Sequence, residues 1–254
     1  MKISIITATM NDGDALRRAV DSVCGQLLPP GVEVEHIVVN GGSRSASVDY
    51  AASTGARVIE TEPKGVYNAV NAGIAVATGD VIGLVHGSDF LADSNVLARV
   101  AASFEGYDAP DFIFGDVNYC NTDRPDRIVR YYSAEGFTPS LLLKGFAPPH
   151  PSLFIRRSVM TRIGPYREDM IIAGDFDIYV RLFYSEPPLR YRYVEGPTVT
   201  MCTGGLSSGF LTRIGLSTTE ICKVLRDHGL PHSRLRILSR FFLRGKRKSL
   251  SADD

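Results

Sequence analysis

A Rossmann-like α/β fold, a mostly parallel sheet flanked by helices with a helical C-terminal extension, is what this sequence predicts. Three observations carry the prediction. Short β-type runs alternate with helical patterns through roughly the first 90 residues, as in parallel strands joined by right-handed crossovers. Val81-Ile82-Gly83-Leu84-Val85 is a continuous apolar run, as in a strand buried on both faces. Polar residues begin abruptly after it, at His86-Gly87-Ser88-Asp89, and two other runs end the same way.

The elements follow in order. Lys2–Thr9 reads as the first strand, with Ile3, Ile5 and Ile6 for the core. Asn11-Asp12-Gly13-Asp14 then caps a helix carrying Leu16, Ala19, Val20 and Val23. Residues 32–39 form a second strand ending in Asn40-Gly41-Gly42-Ser43, followed by a short helix over 46–53 and a third strand over 57–60. Val66, Ala69, Val70, Gly73, Ile74 and Ala77 keep a helical period, and Gly79 is placed like a C-terminal stop. The second half is less regular. It predicts a helix over 96–104, a strand over 111–119, and a hairpin or edge strand over 127–132. A short strand over 152–155 follows Pro148-Pro149-His150-Pro151, and Ala173-Gly174-Asp175 opens a helix through Tyr184. Strands over 191–194 and 198–201, a glycine-rich loop over 203–209, and helices over 213–228 and 233–244 complete the chain. There is no internal repeat.

Composition bounds the function. At 254 residues, 44% hydrophobic and 22% charged, the chain is ordinary for a globular protein. Its 28 basic and 28 acidic side chains cancel, so the whole-chain charge gives no reason to expect a nucleic-acid partner. Cys24, Cys120, Cys202 and Cys222 form no CxxC pair, which speaks against a metal-thiolate site and for a reduced, cytoplasmic setting. The first residues turn polar too soon for a signal peptide, and no apolar run reaches the roughly 20 residues of a membrane span.

The chemistry is expected where strands end, because open α/β sheets bind ligands beyond the carboxyl ends of their strands. Three such ends carry polar residues: Thr7 to Asn11, Asn40 to Ser43, and His86 to Asp89. No GxGxxG follows the first strand and no Walker lysine loop is present, which argues against a dinucleotide or P-loop site. A nucleotidyltransferase would want a cation-rich loop after the first strand, and none precedes Arg17.

Several motifs in order give the chain a resemblance to glycosyltransferase family 2, over roughly residues 1–210. The opening strand with Thr7, Thr9 and Asn11 is similar to the family's nucleotide-side loop. Val38-Val39-Asn40-Gly41-Gly42-Ser43 resembles its "VVDGGS" strand end, and residues 64–73 resemble "KGIYDAMNKG". Ala77-Thr78-Gly79-Asp80 with Ile82-Gly83 matches "ATGDxIG". His86-Gly87-Ser88-Asp89 falls on "NSDD", the metal-binding variant of DxD, and residues 173–182 resemble "AGDYDLWLRL". His150 takes the place of the His in an "HQ" segment, with Pro151 after it.

The resemblance implies a GT-A fold and an inverting transfer of a sugar from a nucleotide-sugar donor to a hydroxyl of a saccharide or lipid-linked acceptor. It places the glycosyltransferase domain at 1–210, with a nucleotide-sugar half over 1–118, an acceptor half over 119–210, and C-terminal helices over 211–254. Asp175 takes the role of catalytic base; the other reading is a helix N-cap. At a helix start its charged form should be favoured. Thr7, Thr9, Asn11, Asn40, Lys64, Asn71, Ser88 and Asp89 are the donor-side residues. Asp89 is also the metal residue, for Mn²⁺ or Mg²⁺. His150 and Arg181 fall on the acceptor or diphosphate side. Plainer readings stand beside these: a solvated Lys64, a helix-face hydrogen bond at Asn71, a structural His150, a structural His86, and an Asp177–Arg181 ion pair. Asn40, Asn68 and Ser88 stand where the family more often has Asp, which leaves a non-catalytic nucleotide-sugar-binding module as the alternative.

The segment over 233–248 has Leu235, Ile237, Leu238, Phe241, Phe242 and Leu243 interleaved with arginines. Seven Lys/Arg and no acid lie from Arg234 to Lys248. This pattern suits either a peripheral helix on the anionic inner face of a membrane or a packed helix with a solvated basic tail.

Overall fold

The computed structural model describes residues 1–10, 13–203 and 210–243, the side chains at 203, 210–213, 242 and 243 excepted. Asn11, the loop over 204–209 and the basic residues from Arg244 onward lie outside the described residues.

The first half is the predicted alternation. Strands β1 (Lys2–Thr9), β2 (Glu33–Asn40), β3 (Arg57–Glu60) and β4 (Val81–Leu84) are joined by helices α1 (Asp14–Cys24), α2 (Ala46–Ser53) and α3 (Val66–Val76). All pair in parallel, in the order β3-β2-β1-β4. β1 shows why its run lacks alternation. Ile3 and Ile5 pack in one core with Ala19 and Val23 of α1, while Ile6 and Ala8 pack in another with Ala69 and Val70 of α3. Both faces are covered, so both sets of side chains are apolar.

The second half is mixed. β5 (Phe90–Leu91), α4 (Val96–Ser103), β6 (Phe112–Asn121), β7 (Arg124–Tyr132), β8 (Phe154–Arg156), α5 (Arg157–Ile163), α6 (Gly174–Phe183) and β9 (Tyr191–Thr203) follow. β8 runs antiparallel to both β4 and β6, β9 runs parallel to β6, and β7 is an antiparallel hairpin partner of β6. Helices α7 (Phe210–Asp227) and α8 (Arg234–Leu243) close the fold. No described helix is long and apolar enough to cross a membrane.

Several expectations are corrected. The helix α1 begins after Gly13, with no side-chain cap hydrogen bond. Gly79 does not stop α3, which ends at Val76 with Ala77 as its C-cap. Instead, a Cβ at Gly79 would lie 2.6 Å from Ser4 Oγ and 2.9 Å from the Lys2 carbonyl, so the turn needs glycine for close approach. The two strands expected over 191–201 are one strand, which passes Gly196-Pro197 by a register shift opposite Gly115 and Asp116. In α8, Ile237 is fully buried and Arg240 is 7% exposed, so part of the apolar face, and one of its arginines, turns toward the protein.

Candidate active site

Three strand ends meet at one edge of the sheet. Thr9 pairs with Asn40 in register, Gly41 N–H donates to the Thr9 carbonyl, and Gly87 N–H donates to the Ala8 carbonyl. The edge is as predicted, but most of its polar side chains are engaged within the protein. Asn40 is fully buried; its amide N–H groups reach the Gly42 carbonyl at 3.1 Å and Glu60 at 2.8 Å, and its carbonyl accepts from Gly42 N–H at 3.1 Å. It holds the turn that an Asx side chain often holds. The hydroxyl of Thr7 is buried against His36 at 2.9 Å, and burial pushes that imidazole down to about 4. Asn71 brackets the backbone of Tyr166, donating to its carbonyl at 2.9 Å and accepting from its N–H at 2.8 Å, which is the plainer of its two readings. Lys64 is exposed and ion-paired with Glu62 at 2.7 Å.

A cavity of about 500 Å³ opens beside this edge. Aromatic and apolar walls dominate it: Tyr67, Tyr119, Tyr132, Tyr166, Phe176 and Phe241. Of the expected residues, Asp175 and His150 line it, and His86, expected as structural, lines it too. His150 Nε2 shares a hydrogen bond with the Tyr166 hydroxyl at 2.9 Å, and burial lowers its pKa to about 3, so the ring is neutral.

Asp175 is the carboxylate of the cavity. It sits one residue inside α6, whose N-cap is Ala173 with no side-chain cap, so the N-cap reading fails. Its Oδ1 accepts from Phe176 N–H at 2.7 Å. The Tyr67 hydroxyl donates to the Ile172 carbonyl at 2.8 Å and accepts from the N–H of Gly174 at 3.0 Å and of Asp175 at 3.4 Å. Gly174 permits this contact, because a Cβ there would lie 2.6 Å from the Tyr67 ring. Although part of its surface opens to the cavity, desolvation by the surrounding walls raises the Asp175 carboxyl to about 6. That outweighs the backbone N–H groups and the Arg240 charge, which act downward. The N–H groups at the helix start do favour the charged form, but burial outweighs them.

Comparison with known proteins settles what this arrangement belongs to. The profile described as Glycosyl transferase family 2 matches residues 4–162, more than half of the chain. The chain belongs to glycosyltransferase family 2. Over 227 residues this glycosyltransferase is 31% identical to a PGL/p-HBAD biosynthesis glycosyltransferase of Mycobacterium tuberculosis, covering 85% of this chain and 84% of the relative. Its fold is similar to that of S. aureus TarS 1-349 in complex with UDP-GlcNAc, with a TM-score of 0.70 at 16% identity over 99% of this chain and 74% of that one. The chain spans 46% of the longer TarS chain. It is also similar to glucosyl-3-phosphoglycerate synthase from Mycobacterium tuberculosis in complex with Mn²⁺, UDP and glucosyl-3-phosphoglycerate, with a TM-score of 0.61 at 18% identity, over 91% and 81% of the two chains. These likenesses establish a GT-A fold.

In this glycosyltransferase two expected residues are bonded within the protein. Arg181 directs every donor into the protein: Nε and Nη2 to Asp177 at 2.8 Å, Nη1 to the carbonyls of Ile163 and Gly164, and Nη2 to that of Pro165. It braces α6 against the end of α5, and the i, i+4 ion-pair reading holds. Asp89 is 4% exposed, and its Oδ1 accepts from Cys202 N–H at 3.3 Å and from Ser88 Oγ at 3.4 Å. It is absent from the cavity wall, and among the described residues no three His, Cys, Asp or Glu side chains gather to hold a metal. A divalent ion there would have one carboxylate of the chain, Asp89, with donor phosphates and water as its other ligands. Asp89 also ties the end of the strand-edge loop to β9. Sequence reasoning assigns no role to Tyr67, although it stands inside a quoted motif, none to Tyr166 or Glu220, and to Arg240 only a place in the basic amphipathic pattern of 233–248.

Proposed function

We propose that this glycosyltransferase inverts the anomeric carbon of a nucleotide-sugar donor as it moves the sugar to a hydroxyl of a saccharide or lipid-linked acceptor, with Asp175 as base. The observation that carries the reading is one carboxylate, alone among the described lining residues, facing a half-open cavity. Its backbone is fixed by Tyr67, and its pKa is raised to about 6 by burial. A base works best when its pKa lies near the working pH. Inversion needs one such group, opposite the leaving diphosphate. Oδ1 is held by Phe176 N–H, which leaves Oδ2 to take the acceptor proton as its oxygen forms the new C–O bond and the bond to the diphosphate breaks. His150, neutral and bonded to Tyr166, shapes the wall without competing for that proton.

Support for the donor class comes from the fold neighbours crystallised with UDP-GlcNAc and with UDP. The strand-end edge of Thr9, Asn40, Gly41 and Gly87 lies beyond the carboxyl ends of β1, β2 and β4, where such a donor is expected. Support for a glycolipid acceptor comes from the relative named for PGL biosynthesis and from the aromatic and apolar cavity wall.

The test is Asp175→Asn in a transfer assay that offers both free sugars and detergent-dispersed glycolipids. Turnover should fall by about 10²–10⁴-fold, while calorimetry shows unchanged donor binding. In the parent enzyme the rate should climb as pH rises through about 6, because only the unprotonated carboxylate accepts a proton. Undiminished turnover in the variant would overturn the role of Asp175.

A further inference from the structure

The segment that presents Asp175 has its backbone N–H groups fully accounted for, and five of the six from Ile171 to Phe176 find partners on distant elements. The N–H of Ile171 reaches Glu220 Oε1 at 2.9 Å, and those of Ile172 and Ala173 reach Glu220 Oε2 at 2.9 and 2.8 Å. The N–H groups of Gly174 and Asp175 reach the Tyr67 hydroxyl, and that of Phe176 reaches Asp175 itself. Glu220 lies on α7 and is 8% exposed. One buried carboxylate thus fills a nest of three consecutive N–H groups at the entrance of α6. α6 has no side-chain cap of its own.

A second charge comes from α8. Arg240 donates from Nη1 to the Gly145 carbonyl at 2.6 Å and from Nη2 to Ser217 Oγ at 2.5 Å, and its guanidinium lies 4.7 Å from the Phe241 ring centre. Arg240, Phe241 and Ser217 line the same cavity as Asp175. Both charges belong to helices that lie beyond the residues matched by the family profile, 4–162.

We propose that the C-terminal helices are part of the catalytic apparatus: Glu220 is the positioning residue that sets where Asp175 stands, and Arg240 is the opposite charge that faces it across the cavity. The inference rests on Asp175 being the base. The two charges act on that carboxyl in opposite directions, Arg240 lowering its pKa and Glu220 raising it, both less than burial does. The other titratable groups around it are Tyr67 from α3, Tyr166, Tyr179 from α6, and, on the cavity wall, His86, His150, Tyr119 of β6, and Arg130 and Tyr132 of β7. Burial holds Tyr67 and Tyr166 above the ordinary tyrosine range, so they stay neutral while Asp175 titrates.

The experiment compares Glu220→Gln, Arg240→Met and Arg240→Lys in the full chain, with Asp175→Asn as reference. Gln at 220 turns an N–H₂ group toward one of the three backbone donors and breaks the nest. Its kcat should fall roughly 10-fold or more, since small misplacements of a reacting group are costly, with the donor KM within about 3-fold. Its acid limb should move to lower pH. Arg240→Met should move the acid limb to higher pH by roughly half a unit, and Arg240→Lys should restore it. An unchanged acid limb in both Arg240→Met and Glu220→Gln, with parent kcat, would overturn the proposal. If Glu220→Gln does not fold, the limb of Arg240→Met decides alone. Turnover surviving in Asp175→Asn would instead overturn the base assignment on which the proposal stands.

Discussion

The strand-end edge and the Asp175 cavity are built by opposite logic. At the edge, residues from the first 90 positions carry the family's motifs, yet Thr7, Asn40 and Asp89 are turned inward and bonded to the protein. Among the side chains of that edge Thr7, Thr9, Asn40 and Asp89 are buried, while Ser43 is exposed. In the cavity, by contrast, the side chains come from across the chain: Tyr67, His86, His150, Asp175, Ser217 and Arg240. The difference teaches that a motif residue shapes a loop in one place and lines the cavity in another, according to where tertiary structure turns its side chain. Asp89 illustrates the point: its carboxylate is 4% exposed and bonded to β9.

The strongest way to break this contrast is Arg181→Met. Arg181 stands in a family motif and was assigned to the substrate side, yet it is a buried brace. Asp177 is almost fully buried, and it keeps only His228 at 2.9 Å and Arg167 at 4.0 Å once Arg181 is gone. Breaking a buried pair by removing one partner costs about 3–5 kcal/mol. Three carbonyls lose their donors as well. Chemical denaturation should show that loss, while donor affinity of the folded fraction stays at the parent value. A large fall in affinity with parent stability would return Arg181 to the substrate side.

Glu35→Gln should have a smaller effect, at the opposite end of the sheet. The "ATGD" motif lies there, at the amino end of β4, away from the strand-end edge. Glu35 accepts from Ser4 Oγ at 2.6 Å, Thr78 N–H at 2.8 Å and Thr78 Oγ1 at 2.9 Å, and pairs with Lys2 at 3.4 Å. Burial pushes its carboxyl up, but these bonds together bring it down to about 2. A depressed folded pKa stabilises the native state above the unfolded value of 4.5 and loses that contribution as pH falls toward 2. The variant should be about 2 kcal/mol less stable at pH 7. The gap should close on acidification between those two values, and at pH 7 kcat/KM should equal that of the parent. A pH-independent gap would remove the charge from the explanation.

How much of this was legible in the sequence follows the same division. β1, α2 and β3 stand where periodicity puts them, because local pattern and burial agree there. β5 is two residues long and exists through its pairing with β9, so no local signal announces it. α5 follows β8 without a linker and without a side-chain cap, which removes the start signal. Asp175 was legible through its motif, but its raised pKa was not, because the walls that desolvate it come from α3, α7 and α8 as well as its own helix. Glu220 and Arg240 look like any charged residues on amphipathic helices until the fold buries them.

The smallest effect expected is the one that most sharpens the edge itself. Lys64 is 66% exposed and pairs with Glu62, an arrangement worth little in water. Its segment nevertheless packs on the edge: a Cβ at Gly41 would lie 3.9 Å from Pro63 Cα and from Thr61 Cγ2. The backbone of 61–63 thus roofs the Asn40 turn while the Lys64 side chain turns to solvent. Lys64→Ala should leave the melting temperature within about 2 °C and donor affinity within about 2-fold. Calorimetry with UDP-sugars at two salt concentrations checks this. A 10-fold loss of affinity that fades at high salt would show that the ammonium swings from Glu62 to the diphosphate. The edge would then present a side-chain cation, and the contrast with the cavity would narrow at that one position.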